Sequence, residues 1–192
     1  TVLTTRTKHT DFKETAMQVK GRSLKQTFDY LKEKFGEQKL LSFLDKYQEF
    51  ESINSCSDID WYPVESFISL LEKSDSFFGY CDLSILEDMG SFAAKKSFES
   101  SHKLFTGMKP ATLFTNAAMI FSTYYSDGKA ETEFIKDNRV KLSLLNFPCS
   151  THLSKRILGW SKGVIALTGG KNVKGNELPC KNGLIFLFEW DN

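Results

Sequence analysis

The sequence predicts an α+β fold in which helices pack on a mainly antiparallel sheet, and three observations carry that prediction. Apolar residues recur at helical spacing in several stretches before Tyr125, the period drops to two from Lys129 onward, and the chain closes on the apolar run Leu184-Ile185-Phe186-Leu187-Phe188-Glu189-Trp190. That run is too short for an ordinary helix and is bounded by Gly183 and Asp191. It reads as a strand buried on both faces. Helices grouped ahead of strands that pair with their sequence neighbours are the pattern of an α+β fold. At 192 residues the chain is long enough to bury most of its apolar side chains in one core. The expected organisation is a flexible segment over 1–15 and a single domain over 16–192.

Taken in order, Ala16, Met17 and Val19 predict a short strand. Lys20-Gly21 breaks it, and Ser23 is placed to cap a helix whose Leu24, Phe28, Leu31 and Phe35 share one face. Gly36 ends that helix. A second, with Leu40, Leu41, Phe43 and Leu44, runs to about Tyr47. Residues 48–60 are polar and predict a loop. After Trp61-Tyr62, Pro63 suits the first turn of a helix carrying Val64, Phe67, Ile68, Leu70 and Leu71. Asp82 or Ser84 opens a long helix in which Gly90, Ala93, Ala94 and Ser97 form a seam of small residues where another helix approaches closely. Pro110 starts the next helix, expected to run through Leu113, Phe114, Ala117, Ile120, Phe121 and Tyr124 as one element. Lys129 to Leu144 is a hairpin turned at Asp137-Asn138.

Leu153, Ile157, Trp160, Val164 and Leu167 then recur at +4, +7, +11 and +14, one face of a long amphipathic helix that Gly169-Gly170 closes. Trp160 stands at the middle of the stripe and is expected to be buried between this helix and the sheet.

Composition excludes several classes. Lys and Arg number 25 against 24 Asp and Glu, a net charge of +1 with signs interspersed, so no basic patch is available for phosphates. Cys56, Cys81, Cys149 and Cys180 form no C-x-x-C pair, which argues against a zinc knuckle or a disulfide framework. No stretch approaches the roughly 20 apolar residues that span a bilayer. The chain opens Thr1-Val2-Leu3 without an initiator Met or the apolar core of a signal peptide, the pattern of a sequence lacking a few leading residues. Seventeen Phe, six Tyr and three Trp make it rich in aromatic rings, which suit a heavy core or the walls of an apolar ligand site.

The motifs of common catalytic chemistry are missing. Neither a G-x-S-x-G elbow nor a phosphate-binding loop occurs, and Gly169-Gly170-Lys171-Asn172 follows a helix instead of opening one. His9, His102 and His152 share no ligand spacing with each other or with Cys. His102 is the one candidate for an axial haem ligand. Glu131 and Glu133 are read as a solvated strand face. The chain is accordingly expected not to be an enzyme.

Six segments in order carry a resemblance over about residues 17–190: Val19-Lys20-Gly21, Trp61-Tyr62-Pro63, Gly90 to Lys96, Tyr124-Tyr125-Ser126-Asp127-Gly128, Gly159-Trp160, and Cys180-x-x-Gly183 before the strand ending at Trp190. The chain resembles a bacterial family best known as a large set of paralogues in Myxococcus. That family is similar to 4-vinyl-reductase-like domains and, more distantly, to the haem-nitric-oxide-binding and TRAPP-subunit fold. The resemblance implies helices on an antiparallel sheet and an apolar interior that in relatives holds a small aromatic molecule, a haem or an acyl chain. Related domains often carry two cysteines near the end; here Cys180 stands alone and Leu184 occupies the place of the second, which counts against a metal or thiol-pair role.

The expected function is a non-catalytic small-molecule-sensing or regulatory module with an aromatic, apolar interior. A scaffolding protein whose interior is solid core is the alternative, and a haem sensor the third reading. Candidate ligand-lining residues are Trp61, Phe67, Phe98, Phe121, Tyr124 and Trp160, where helices meet the sheet edge. No metal and no resident cofactor are expected. The partners expected are a small apolar or aromatic ligand and a protein partner or second copy, without nucleic acid or a membrane span, in the cytoplasm.

Overall fold

A computed structural model describes residues 16–100 and 107–192. His9, His102 and the expected flexible segment over 1–15 lie outside the described residues. The chain enters on β1 (Gln18–Lys20), which pairs antiparallel with β2 (Trp61–Pro63). Between them come α1 (Gly21–Phe35), α2 (Glu37–Lys46), a 3-10 turn over Gln48–Phe50 and α3 (Glu51–Asn54). After β2 follow α4 (Val64–Phe78), α5 (Ser84–Ser100), α6 (Pro110–Thr115) and α7 (Ala117–Tyr124). The hairpin β3 (Lys129–Lys136) and β4 (Arg139–Leu145), helix α8 (Thr151–Leu167), and the hairpin β5 (Lys171–Leu178) and β6 (Gly183–Asp191) complete it. The sheet order is β3-β4-β6-β5 with every pair antiparallel, so the α+β architecture is as the sequence predicts.

Helix α8 connects the two hairpins and crosses back over the sheet face they form. Ser150 caps it, its Oγ accepting from the Leu153 amide at 3.3 Å. The small-residue seam meets α8 at backbone distance. A Cβ on Gly90 would stand 2.3 Å from the Arg156 carbonyl, and one on Gly159 2.1 Å from that of Glu87. Ser91 Oγ donates to the Gly159 carbonyl at 3.2 Å across the same crossing.

Four expectations are corrected. The helix start is not capped by Ser23, which lies buried inside α1. The Gly21 and Arg22 amides donate instead to the carbonyls of Asp60 and Asp58, at 2.9 and 3.1 Å, so a distant loop supplies the cap. That loop is not structureless, since Gln48–Asn54 is helical and Phe50 is fully buried. The stretch from Pro110 to Tyr124 is two helices, because Asn116 leaves the helical region and its Nδ2 bonds back to the Thr112 carbonyl at 2.8 Å.

The last strand is covered on one face only. Leu184, Phe186, Phe188 and Trp190 are buried, while Ile185 and Leu187 are half-buried and Glu189 exposed. Register explains the difference: Lys141 stands opposite Leu187 and Arg139 opposite Glu189, so long polar side chains shield this side where a second layer was expected.

The aromatic residues divide between two places. Around α2 and α4, Phe43 stacks on Phe50 at 5.8 Å and meets Tyr47, Phe77 and Phe78 at 5.1 to 5.5 Å, a filled cluster. The other group, on α7 and α8, borders a void.

Candidate functional site

A cavity of about 110 Å³ lies between the sheet and the helices laid over it. Its floor is Ala130 of β3 and Leu142 and Leu144 of β4, inward-pointing residues of adjacent strands. Helix α8 contributes two neighbouring rows at four-residue spacing, Arg156-Trp160-Val164 and Ile157-Ser161-Ile165. Leu113 and Phe114 of α6, with Ile120, Phe121 and Tyr124 of α7, form the opposite wall. Phe67 of α4 and Ser23 and Gln26 of α1 close the end.

That end is polar. Gln26 Nε2 and the Tyr124 hydroxyl both donate to Ser97 Oγ, each at 3.1 Å, and Ser97 is buried. Arg156 is 5% exposed, and burial lowers its guanidinium pKa to about 10, so it stays protonated at neutral pH. The titratable groups that act on it are the phenols of Tyr125 and Tyr124, and burial pushes that of Tyr125 up. No carboxylate forms an ion pair with Arg156 among the described residues. Its Nε and the indole Nε1 of Trp160 are both enclosed without a hydrogen-bond partner among the described residues. An apolar chamber with two idle N–H donors and a cation suits a ligand that is mostly hydrocarbon and ends in an acceptor.

Of the six candidate residues, Phe67, Phe121, Tyr124 and Trp160 line this cavity and Trp61 and Phe98 do not. Trp61 sits exposed on β2 beneath Lys20, whose Nζ is 3.8 Å from the ring centroid. Side chains alternate along the strand, and the inward place falls to Tyr62, which is half-buried. Phe98 is half-buried on α5, one position past Ser97, which takes the inward-facing place. Trp160 is not sandwiched between α8 and the sheet as expected. It is half-buried and faces α7, meeting Tyr124 edge-on at 5.7 Å. Arg156, Gln26 and Ser161 were not expected at the site. Arg156 had a visible signal: it stands three residues after Leu153 and four before Trp160, a cation on an apolar stripe.

Elsewhere the chemistry is sparse. Among the described residues no cluster of three His, Cys, Asp or Glu is arranged to hold a metal ion. His152 stands 3.7 Å from Asp75 and 4.0 Å from Glu72. Cys149 and Cys180, both free, line a surface groove where the β5–β6 turn meets the start of α8. Glu131 and Glu133 pair with Lys129 and Lys141 on the sheet's outer side.

No family model and no curated protein matches the sequence. Solved structures do match. An Fe(II) unliganded H-NOX protein mutant from K. algicida superposes with a TM-score of 0.71 at 14% identity, over 90% of this chain and 97% of that one. An H-NOX protein from S. oneidensis in the Fe(II)NO state gives 0.71 at 11% identity, over 90% and 99%. The chain has the H-NOX fold. A further match, a structure concerned with how protein-induced porphyrin distortion modulates haem redox potential, gives 0.68 at 11% identity over 88% and 99%. At these identities the likeness to H-NOX, the haem nitric-oxide-binding domains, is one of fold.

The likeness corrects one expectation. The matching H-NOX structures are of haem-binding proteins, so the expected absence of a cofactor does not stand. Arg156 would suit an acidic substituent and the walls are apolar. The chamber, however, falls well short of the roughly 300–1,000 Å³ of pockets for drug-sized ligands, and among the described residues no His, Cys or Met lines it. The described lining alone does not fit a haem.

Proposed function

We propose that this chain is a non-catalytic sensory module of the H-NOX fold that holds a small, largely apolar molecule in the chamber beneath α7 and α8 and signals its occupancy to a protein partner. The observation that carries the reading is the chamber itself: an unfilled apolar space lined by Arg156 and Trp160, each with an enclosed donor that has no hydrogen-bond partner among the described residues. An interior that served only as core would close such a space, since each void of that size forfeits packing energy. A ligand that binds better when α7 and α8 close over it shifts the population toward that arrangement, and a partner contacting either helix reads the shift. Membership of the Myxococcus-type family and a cytoplasmic setting belong to the same proposal. No helix among the described residues is long and apolar enough to cross a membrane.

A haem-based sensor is the second reading, supported by the likeness to haem-bearing H-NOX structures. His102, the candidate axial ligand, lies outside the described residues. Native mass spectrometry of the purified protein beside its visible absorption spectrum separates the two. A co-purifying mass of a few hundred daltons or less without a Soret band supports the first, and a Soret band the second. Neither signal, together with failure of apolar probes to bind, would leave only the scaffold reading.

A further inference from the structure

The chamber's walls and its polar side make different demands on an occupant. Nearly all of its surface is hydrocarbon, contributed by Leu113, Phe114, Ile120, Phe121, Val164 and Ile165. Two of its polar side chains, Arg156 and Trp160, carry enclosed donors with no hydrogen-bond partner among the described residues. Arg156 carries a full positive charge with no carboxylate partner among the described residues, and its Nε makes no hydrogen bond. Trp160 Nε1, one helical turn on and in the same row of α8, is likewise enclosed and unsatisfied. Two enclosed donors without an acceptor are costly to keep, and buried charges are ordinarily paired. Gln26 Nε2 and the Tyr124 hydroxyl donate to Ser97, and neither Arg156 Nε nor Trp160 Nε1 has an acceptor among the described residues. Size narrows the occupant further: an apolar cavity of about 150 Å³ elsewhere takes benzene, and this one, of about 110 Å³ and open on one side, has room for no more than a single ring, with a polar end group outside that apolar space.

From these features we infer that the chamber binds a small carboxylic acid of about the size of benzoate, its carboxylate seated against Arg156 Nε–H and Trp160 Nε1–H and its hydrocarbon body among the α6, α7 and sheet residues. A carboxylate supplies what the site lacks: a negative charge for the guanidinium and two acceptor oxygens for two N–H groups spaced a helical turn apart. A neutral molecule of the same shape would fill the chamber and leave the charge bare. Haem also carries carboxylates, but the volume commits the site to the smaller acid. The inference rests on reading the chamber as a ligand site and adds the ligand's class.

The test is calorimetric titration of the purified chain with sodium benzoate, benzyl alcohol as its neutral near-isostere, and hemin. The parent is expected to prefer benzoate by at least about tenfold, the least that a hydrogen-bonded charge contact confers. Arg156→Met keeps the stem and removes the charge, and is expected to bring the preference close to one while benzyl alcohol binds as before. Trp160→Phe keeps a ring and removes one donor, and is expected to fall between. A parent that does not distinguish the two probes, or an Arg156→Met that still prefers benzoate, overturns the carboxylate assignment; binding of benzyl alcohol then leaves the ligand-site reading in place. Binding of neither probe overturns both. Uptake of hemin in preference to benzoate overturns the size assignment.

Discussion

Replacing Arg156 by Met should stabilise the unliganded protein, which is the opposite of what most core substitutions do. The guanidinium titrates at about 10 when folded, well below its ordinary value, and the first cause is desolvation. At about 1.4 kcal/mol per pH unit of displacement, holding the charge inside costs on the order of 3 kcal/mol. Both folded and unfolded states are protonated below pH 10, so the full penalty is present across the physiological range and is constant there. It is relieved only as the pH rises through about 10, where the unfolded chain binds more protons than the folded one and stability climbs. Methionine keeps most of the stem's packing, and a net gain of about 1–3 kcal/mol remains after the lost contacts with the tyrosines are deducted. For a chain of this length that is a rise in Tm of roughly 2–4 °C per kcal/mol. Urea unfolding of both proteins at pH 5, 7 and 9 reads the difference directly. A constant gain at all three supports an unpaired buried cation. A loss of stability in Arg156→Met, shrinking at pH 5, would mean that a carboxylate pairs with Arg156 in solution, and the account of the polar side of the chamber would fail.

Two other perturbations probe the frame around the site. Gly159→Ala gains up to about 1 kcal/mol of helix propensity but sets a Cβ 2.1 Å from the Glu87 carbonyl; backbone cannot yield as a side chain can, so a net loss of about 1–3 kcal/mol is expected by thermal melting, and a melt at or above the parent's would disprove the close crossing of α5 and α8. Phe186→Ala, at a fully buried position, should cost about 3–5 kcal/mol in urea unfolding, whereas Phe121→Ala, half-buried and already beside a void, should cost at least about 1 kcal/mol less; equal losses would mean that the chamber is filled in solution.

Much of the frame was legible because it rests on local periodicity. The α8 helix, the small-residue seam and the β3–β4 hairpin follow from nearby residues and appear where the spacing puts them, but the α8 stripe is not the buried face throughout: Leu167 is exposed and Trp160 half-buried, while Leu158 and Ile165 are buried. What the sequence hid depends on residues far apart in the chain. The cap of α1 comes from carbonyls near Asp58 and Asp60, so Ser23 looked like a cap and is a chamber residue instead. The outer face of β6 looked buried because its own side chains are apolar, while its covering depends on which β4 residues stand opposite. Trp61 was drawn in by its aromatic ring although β2 holds it at the surface. The chamber is a space bounded by residues from Ser23 to Ile165, and no local pattern encodes a space. Arg156 follows Lys155 and so resembles a surface charge, although its position on the stripe marks it as inward.

A small apolar molecule is expected to enter the chamber between the sheet and α6, α7 and α8. Methyl-labelled NMR spectra recorded during titration with benzyl alcohol test it most directly. Saturable shifts concentrated at Leu113, Ile120, Leu142, Leu144, Val164 and Ile165, with Leu40 and Leu44 of α2 unmoved, are the predicted result. Shifts absent at the chamber methyls, or spread evenly over both groups, would contradict it.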